Sequence, residues 1–250
     1  MTDRHSDVDR RTEADRHSGV DPCTDVDRDA ALAAGAALFN EGHTLAAHDP
    51  WEAAWLPLDS GSDERLFHGL IAAAAATHHA TARNWSGAVG CAANAVRYLG
   101  ALDGRPDGNA DVDAPDTLDT ARAADATAEI DTGPVHDWCR RLAADPEVIE
   151  RASPPAIRVD GAVPAFDDLD LPATLLAAPA LAGSVDAASE ATVEAAARLA
   201  REERGTGRTT IAELLFAFCR APSSRPQVAA RLADHVERER RKRRDVEGLF

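Results

Sequence analysis

"LFNEGHTLAAHDPWEAAW" (Leu38 to Trp55) sets two histidines, a proline and two tryptophans into a run that otherwise reads as helix. Tryptophan is scarce, four in 250 residues, and Trp51 and Trp55 are half of the supply. Counted from Gly42, small residues fall at Ala47 and Ala54, with the bulky Trp51 between them. The same offsets recur from Arg83, at Ala88 and Ala95, with Trp85 nearby. Small side chains in that register let two antiparallel helices approach closely. The pattern is similar to the paired helices of tetratricopeptide repeats, but the spacing from Gly42 to Arg83 exceeds their usual period, and two units are too few for an open solenoid. The expected fold is all-α: a compact bundle of antiparallel helical hairpins with tetratricopeptide-like packing and a C-terminal helical extension.

The neighbouring run "DERLFHGLIAAAAATHHATA" is mostly alanine, a strong helix former that permits close packing. Its apolar stretch goes round the helix, as expected for a central helix touched on several sides. Phe39, Trp51, Trp55 and Phe67 then supply the bulk that alanine lacks.

Outward from this core, residues 1–28 are polar and nearly free of large apolar side chains, the composition of a disordered tail. Residues 29–145 read as the helical core domain, interrupted by an acidic Gly/Pro linker, "DGRPDGNADVDAPD" (103–116). Its last helix has Pro134 at a first-turn position and an apolar stripe of Val135, Trp138 and Leu142. Residues 146–185 read as a Pro/Ala-rich linker with a small hairpin about Asp160-Gly161, flanked by Ile157, Val159 and Val163. Residues 186–250 are the helical extension: a helix over 186–204 closed by Gly205, and a helix opened by the capping box "TIAE" (Thr210 to Glu213) with Ile211, Leu215 and Phe218 inward. A last helix buries Val228, Leu232 and Val236. Its basic end, "ERERRKRR", reads as a solvated helix terminus whose cations suit the negative pole of the macrodipole, with Leu249 and Phe250 docking back on the core.

The net charge is -16, and Lys242 is the single lysine. Acid spread along the chain with so little lysine suits a protein kept soluble in concentrated salt, where the Debye length falls to ~3 Å at 1 M and surface self-repulsion is screened. A salt-adapted, cytoplasmic protein of haloarchaeal type is expected. The four cysteines, Cys23, Cys91, Cys139 and Cys219, form no C-x-x-C pair, which argues against a zinc framework or a disulfide scaffold. The charged N-terminus lacks the apolar run of a signal peptide, and no stretch is apolar enough to span a membrane. With Tyr98 the single tyrosine, a stacking platform for nucleic acid is not expected. No phosphate-binding Gly loop, nucleophile elbow or dinucleotide fingerprint is present.

The chemistry therefore rests on the opening stretch. Asp49-Pro50 either starts a helix, with Asp49 as cap, or kinks one begun near Thr44. In the kinked form His48 and Glu52 share a face. The candidate pocket is His48, Trp51, Glu52, Trp55, His78 and Asn84. Three uses of it stand open. His48 and Glu52, joined by His78 or His68 from the next helix, can ligate a divalent metal and leave a position for water. Glu52, half-buried beside tryptophan, can handle a proton with His48. Or His48, Glu52 and His78 form a hydrogen-bonded set that fixes how two hairpins dock. The last is favoured, because "HDPWE" is not H-E-x-x-H.

The residues Phe39, Asn40, Gly42, Ala47, His48, Glu52, Trp55, Gly69, Leu70, Ile71, His78, Asn84, Gly87 and Ala88 match, in order, motifs of a known family. Over about residues 30–100 the chain resembles domain of unknown function 309, with its Phe-Asn-x-Gly turn, Ala-His-Glu-x-x-Glu-x-x-Trp helix, Gly-Leu-Ile helix ending in His, and Asn-x-x-Gly-Ala turn. Asp49 and Pro50 depart from that pattern. The resemblance implies a small all-α bundle of unestablished function. The resulting expectation is a non-catalytic module that binds a protein or small molecule and needs no cofactor. A metal-dependent hydrolase using His48, Glu52 and His78 is the alternative.

Overall fold

The computed structural model describes residues 26–102, 128–203 and 209–247. The expected tail up to residue 25 with Cys23, the acidic linker 103–116, Gly205, Leu249 and Phe250 lie outside these residues. Among the described residues nine α-helices follow in order: α1 (Arg28–Asn40), α2 (His48–Trp55), α3 (Ser62–Thr81), α4 (Trp85–Leu102), α5 (Gly133–Ala144), α6 (Leu171–Ser184), α7 (Glu190–Glu202), α8 (Thr210–Arg220) and α9 (Arg225–Glu247). Among the described residues there is no strand, only single bridges of Val159 to Ile130 and to Ala162. The all-α bundle expected from the sequence is what the chain forms.

The small residues do what their register demands. Ala47, Ala54, Ala88 and Ala95 are all buried, and α3 packs along most of α4. Gly42 and Arg83, the origins of the two registers, occupy the same structural position. Each is the left-handed residue that ends a helix, with φ of 87° and 57°. After α1, His43 N donates to Leu38 O and Gly42 N to Phe39 O; after α3, Asn84 N donates to His79 O and Arg83 N to Ala80 O. This pair of bonds is the Schellman ending, which satisfies carbonyls that a helix terminus leaves open.

Glycine allows two close approaches. A Cβ on Gly35 would lie 2.3 Å from the Trp51 indole, and one on Gly69 would lie 2.5 Å from Leu99. The wide Trp51 ring thus lies flat on α1 and Leu99 presses on α3. From α5 the Trp138 indole donates to Thr77 Oγ1 (3.1 Å) on α3, a buried bond between layers.

The order of packing runs α5, α4, α3, α2, α1, α6, after which α7 and α8 pack on α6 and α9 lies across both. Residues 171–184 fall within the expected Pro/Ala-rich linker, and that expectation is corrected: they are α6, which joins the two halves. Its burial explains why it escaped a search for periodicity. Ala173, Leu175, Ala177, Ala178, Ala180, Leu181 and Ala182 are all buried, so no polar stripe marks a helical repeat. Asp170 caps it by accepting from Ala173 N, and Pro172 sits harmlessly in the first turn. Pro179 is inside the helix, where it has no N–H to give to Leu175 O. The Arg201 guanidinium on α7 donates to that same carbonyl at 3.2 Å and takes the place of the missing N–H.

Two local expectations shift. The cap of α8 is Thr209, whose hydroxyl accepts from Ala212 N, so the start lies one residue before the expected box. The Asp160-Gly161 turn does form, with both residues at positive φ, but its arms pair only through single bridges. Asn40 holds this segment instead. Its side chain accepts from Ile157 N (2.8 Å) and donates to Ile157 O (3.0 Å) and Pro164 O (3.1 Å), standing in for a strand partner.

Candidate functional site

His48, Trp51, Glu52 and Trp55 all lie on α2, but they do not share one role. The structure divides them. Pro50 lies in the first turn of α2, where an N–H has no intrahelical partner, so it neither follows an Asp49 cap nor kinks a longer helix. Trp51 is fully buried against α1, and its indole N–H has no hydrogen-bond partner. It is a core residue and lines no accessible pocket. Asn84 is the cap of α4: its side-chain oxygen accepts from Gly87 N (3.2 Å) and Ser86 Oγ (3.2 Å), and its amide nitrogen meets His79 Nδ1.

His48 and Glu52 do share a face, with 3.6 Å between Nδ1 and Oε2, a loose half-exposed pair. Asp49 at 3.8 Å from the same nitrogen is closer in sequence. The Asp49 carboxylate, and after it Glu52, raise His48 above the ordinary imidazole range, while partial burial opposes them. His78 lies beside the His79 ring, 5.9 Å between centroids, and makes no hydrogen bond to His48 or Glu52 among the described residues. Among those residues no three His, Cys, Asp or Glu side chains are grouped to hold a metal ion. Among the described residues the expected triad of His48, Glu52 and His78 is not grouped as a ligand set.

Trp55 belongs to a second cluster, which includes His68, the alternative ligand expected from α3. Its indole N–H donates to Glu64 Oε1 (3.1 Å), and the same oxygen meets His68 Nδ1 (3.2 Å). His68 stacks on Tyr98 at 3.9 Å between centroids, and the Arg97 guanidinium lies 4.6 Å over the far ring. Helices α2, α3 and α4 each contribute, so the ladder spans the seam of the first two hairpins. Glu64 and His68 are four apart on α3, a spacing legible in the sequence. The chain next exposes Leu56 (68%) and Leu58 (36%), immediately after Trp55.

A shallow cleft of about 590 Å³ at Glu129–Gly133 and Asp160–Gly161 is acidic, and two of its carboxylates are engaged locally. Asp160 accepts from Glu129 N, and Asp131 from Gly133 N. The thiols of Cys139 and Cys219 are buried, which pushes each up to about 12 and disfavours the thiolate.

The fold and the seam define a protein built of helical hairpins with an aromatic, half-buried face. Residues 32–91 match the family described as Domain of unknown function (DUF309). This stretch covers most of α1 through the first part of α4. No curated protein and no solved structure matches the chain.

Proposed function

We propose that the protein is a non-catalytic interaction module. Its recognition face is the ladder of Trp55, His68 and Tyr98 on α2, α3 and α4, extended by Leu56 and Leu58. The observation that carries this is the stacked His68–Tyr98 pair, locked by Glu64 beside two leucines left in water. Rigid aromatic rings next to exposed aliphatic side chains are the composition of a protein-binding hot spot. Of the originally expected pocket, Trp55 is part of this face, His48 and Glu52 sit on the same helix, and Trp51 and Asn84 have structural work. The acidic, lysine-poor composition supports a salty cytoplasm as the setting, and an apolar face suits it, since screening weakens ionic contacts and leaves apolar ones intact.

A photo-crosslinking amino acid at Leu56, introduced in living cells, tests the face. One adduct of defined mass is expected, reduced by Tyr98→Ala and absent when the probe sits at Val163. No adduct, or one indifferent to Tyr98, refutes the assignment. Metal analysis of the purified protein separates the alternative: stoichiometric zinc, iron or manganese, lost in His48→Ala, would establish the hydrolase instead.

A further inference from the structure

A second cleft, about 290 Å³, opens beside the turn after α1. It is lined by Glu41, His43, Phe166, Asp167, Arg220 and Arg225, with Cys219 and Pro222 behind them. The matched family stretch contributes the turn after α1, residues 165–167 contribute a second wall, and the C-terminal extension contributes the rest.

Three nitrogen-bearing side chains are fixed here by the same device. Arg225, nine-tenths buried, donates Nε to Phe218 O (3.0 Å) and Nη2 to Cys219 O (3.2 Å). Arg220 donates Nε to Phe166 O (3.3 Å) and Nη2 to Leu169 O (2.9 Å). Each guanidinium is held by backbone carbonyls along one edge, and each keeps Nη1 without a partner among the described residues. His43 Nδ1 lies 3.1 Å from Ser184 Oγ, and that hydroxyl donates to Leu181 O (2.9 Å). Ser184 therefore accepts from His43, which sets the proton on Nδ1 and leaves Nε2 open. The Phe166 ring forms an apolar wall 6.2 Å from the His43 ring.

We propose that this cleft binds a small oxyanion, a carboxylate or phosphate group, between Arg220, Arg225 and His43. Guanidinium forks anchored on one side present their remaining N–H groups as a pre-formed oxyanion clamp. Glu41 and Asp167 stand at the same cleft, Asp167 3.9 Å from Arg220. Their charge opposes a polyanion, so the ligand is small and of low charge. Binding is linked to a proton. Burial, then the Arg225 charge, lowers His43 and keeps it neutral, with Glu41 opposing. A bound oxyanion restores the attraction for a proton at Nε2. Glu41, Asp167, Arg220 and Arg225 are the charged groups facing that ring, and Cys219 stays a thiol.

The test is calorimetric titration of the full-length protein with sodium phosphate and, separately, sodium malonate, against sodium chloride at matched ionic strength. Saturable binding by one of the two is expected, and the tighter one names the source. Arg220→Gln should weaken it by about tenfold or more, the loss of a charge-assisted contact. Glu41→Gln, at an exposed position outside the core, should tighten it roughly threefold by removing a like charge. Binding should strengthen as pH falls through the His43 titration, followed by NMR of that ring. Titrations indistinguishable from chloride, or an affinity unmoved by both substitutions, would overturn the proposal.

Discussion

Replacing Arg201 by methionine should destabilise the protein through a carbonyl on another helix. An interior proline costs a helix about 3 kcal/mol relative to alanine, part of it the lost hydrogen bond. Here the abandoned acceptor, Leu175 O, receives the Arg201 guanidinium at 3.2 Å. A hydrogen bond from a charged donor contributes about 1.5–3 kcal/mol, and half-exposure places this one at the lower end. Arg201→Met is therefore expected to cost about 1–2 kcal/mol. In a Pro179→Ala background the alanine N–H returns to Leu175 O, and the same substitution should cost about 1 kcal/mol less. Other contacts of Arg201 are lost equally in both backgrounds and cancel. The four proteins of this double-mutant cycle would be compared by urea denaturation at fixed salt, with helical circular dichroism as probe. Pro179→Ala should also stabilise more strongly when residue 201 is methionine than when it is arginine. Additivity within ~0.3 kcal/mol would refute the claim that Arg201 substitutes for the missing N–H.

Gly35→Ala should lower stability by about 2–3 kcal/mol, since a rigid buried indole 2.3 Å from the new Cβ outweighs the roughly 1 kcal/mol gained in helix propensity; thermal denaturation reads it, and a neutral result would mean Trp51 is free to move. Asn40→Ala removes three hydrogen bonds to the segment around Ile157 and Pro164 and should cost about 2 kcal/mol, with faster amide exchange at Ile157 than at Leu99. His48 carries a raised folded-state value, so its contribution is full below about pH 6.5 and lost as pH rises through that higher value. His48→Gln should flatten stability across that window, and unchanged pH dependence would remove the Asp49–Glu52 explanation.

The helical hairpins were legible because alanine spacing and burial follow the same geometry, as at Ala47, Ala54, Ala88 and Ala95. The left-handed bend at Gly42 could be anticipated from glycine, but its counterpart at Arg83 could not, because arginine carries no sign of positive φ. Helix α6 was illegible for the opposite reason to a loop. It is apolar all round, and Pro172 and Pro179 resemble linker punctuation until Arg201 is seen repairing the second. The candidate site was half legible. The His48–Glu52 spacing gave a real pair, but a spacing within one helix says nothing about which partner arrives from the next. The more ordered pair, Glu64 and His68, has the same spacing, but no tryptophan adjoins it in sequence to mark it as a site. Trp55 reaches it only across the α2–α3 turn.

The position of α1 between α2 and α6 bears on what counts as a unit in this protein. Nearly every side chain from Ala30 to Phe39 is enclosed, those facing α6 as completely as those facing α2. Expressed by itself, the 32–91 stretch would turn a greasy flank and the Asn40 amide toward water, inviting clumping rather than folding. What is recognisable as a sequence segment and what can stand alone as an object are, in this chain, two different lengths.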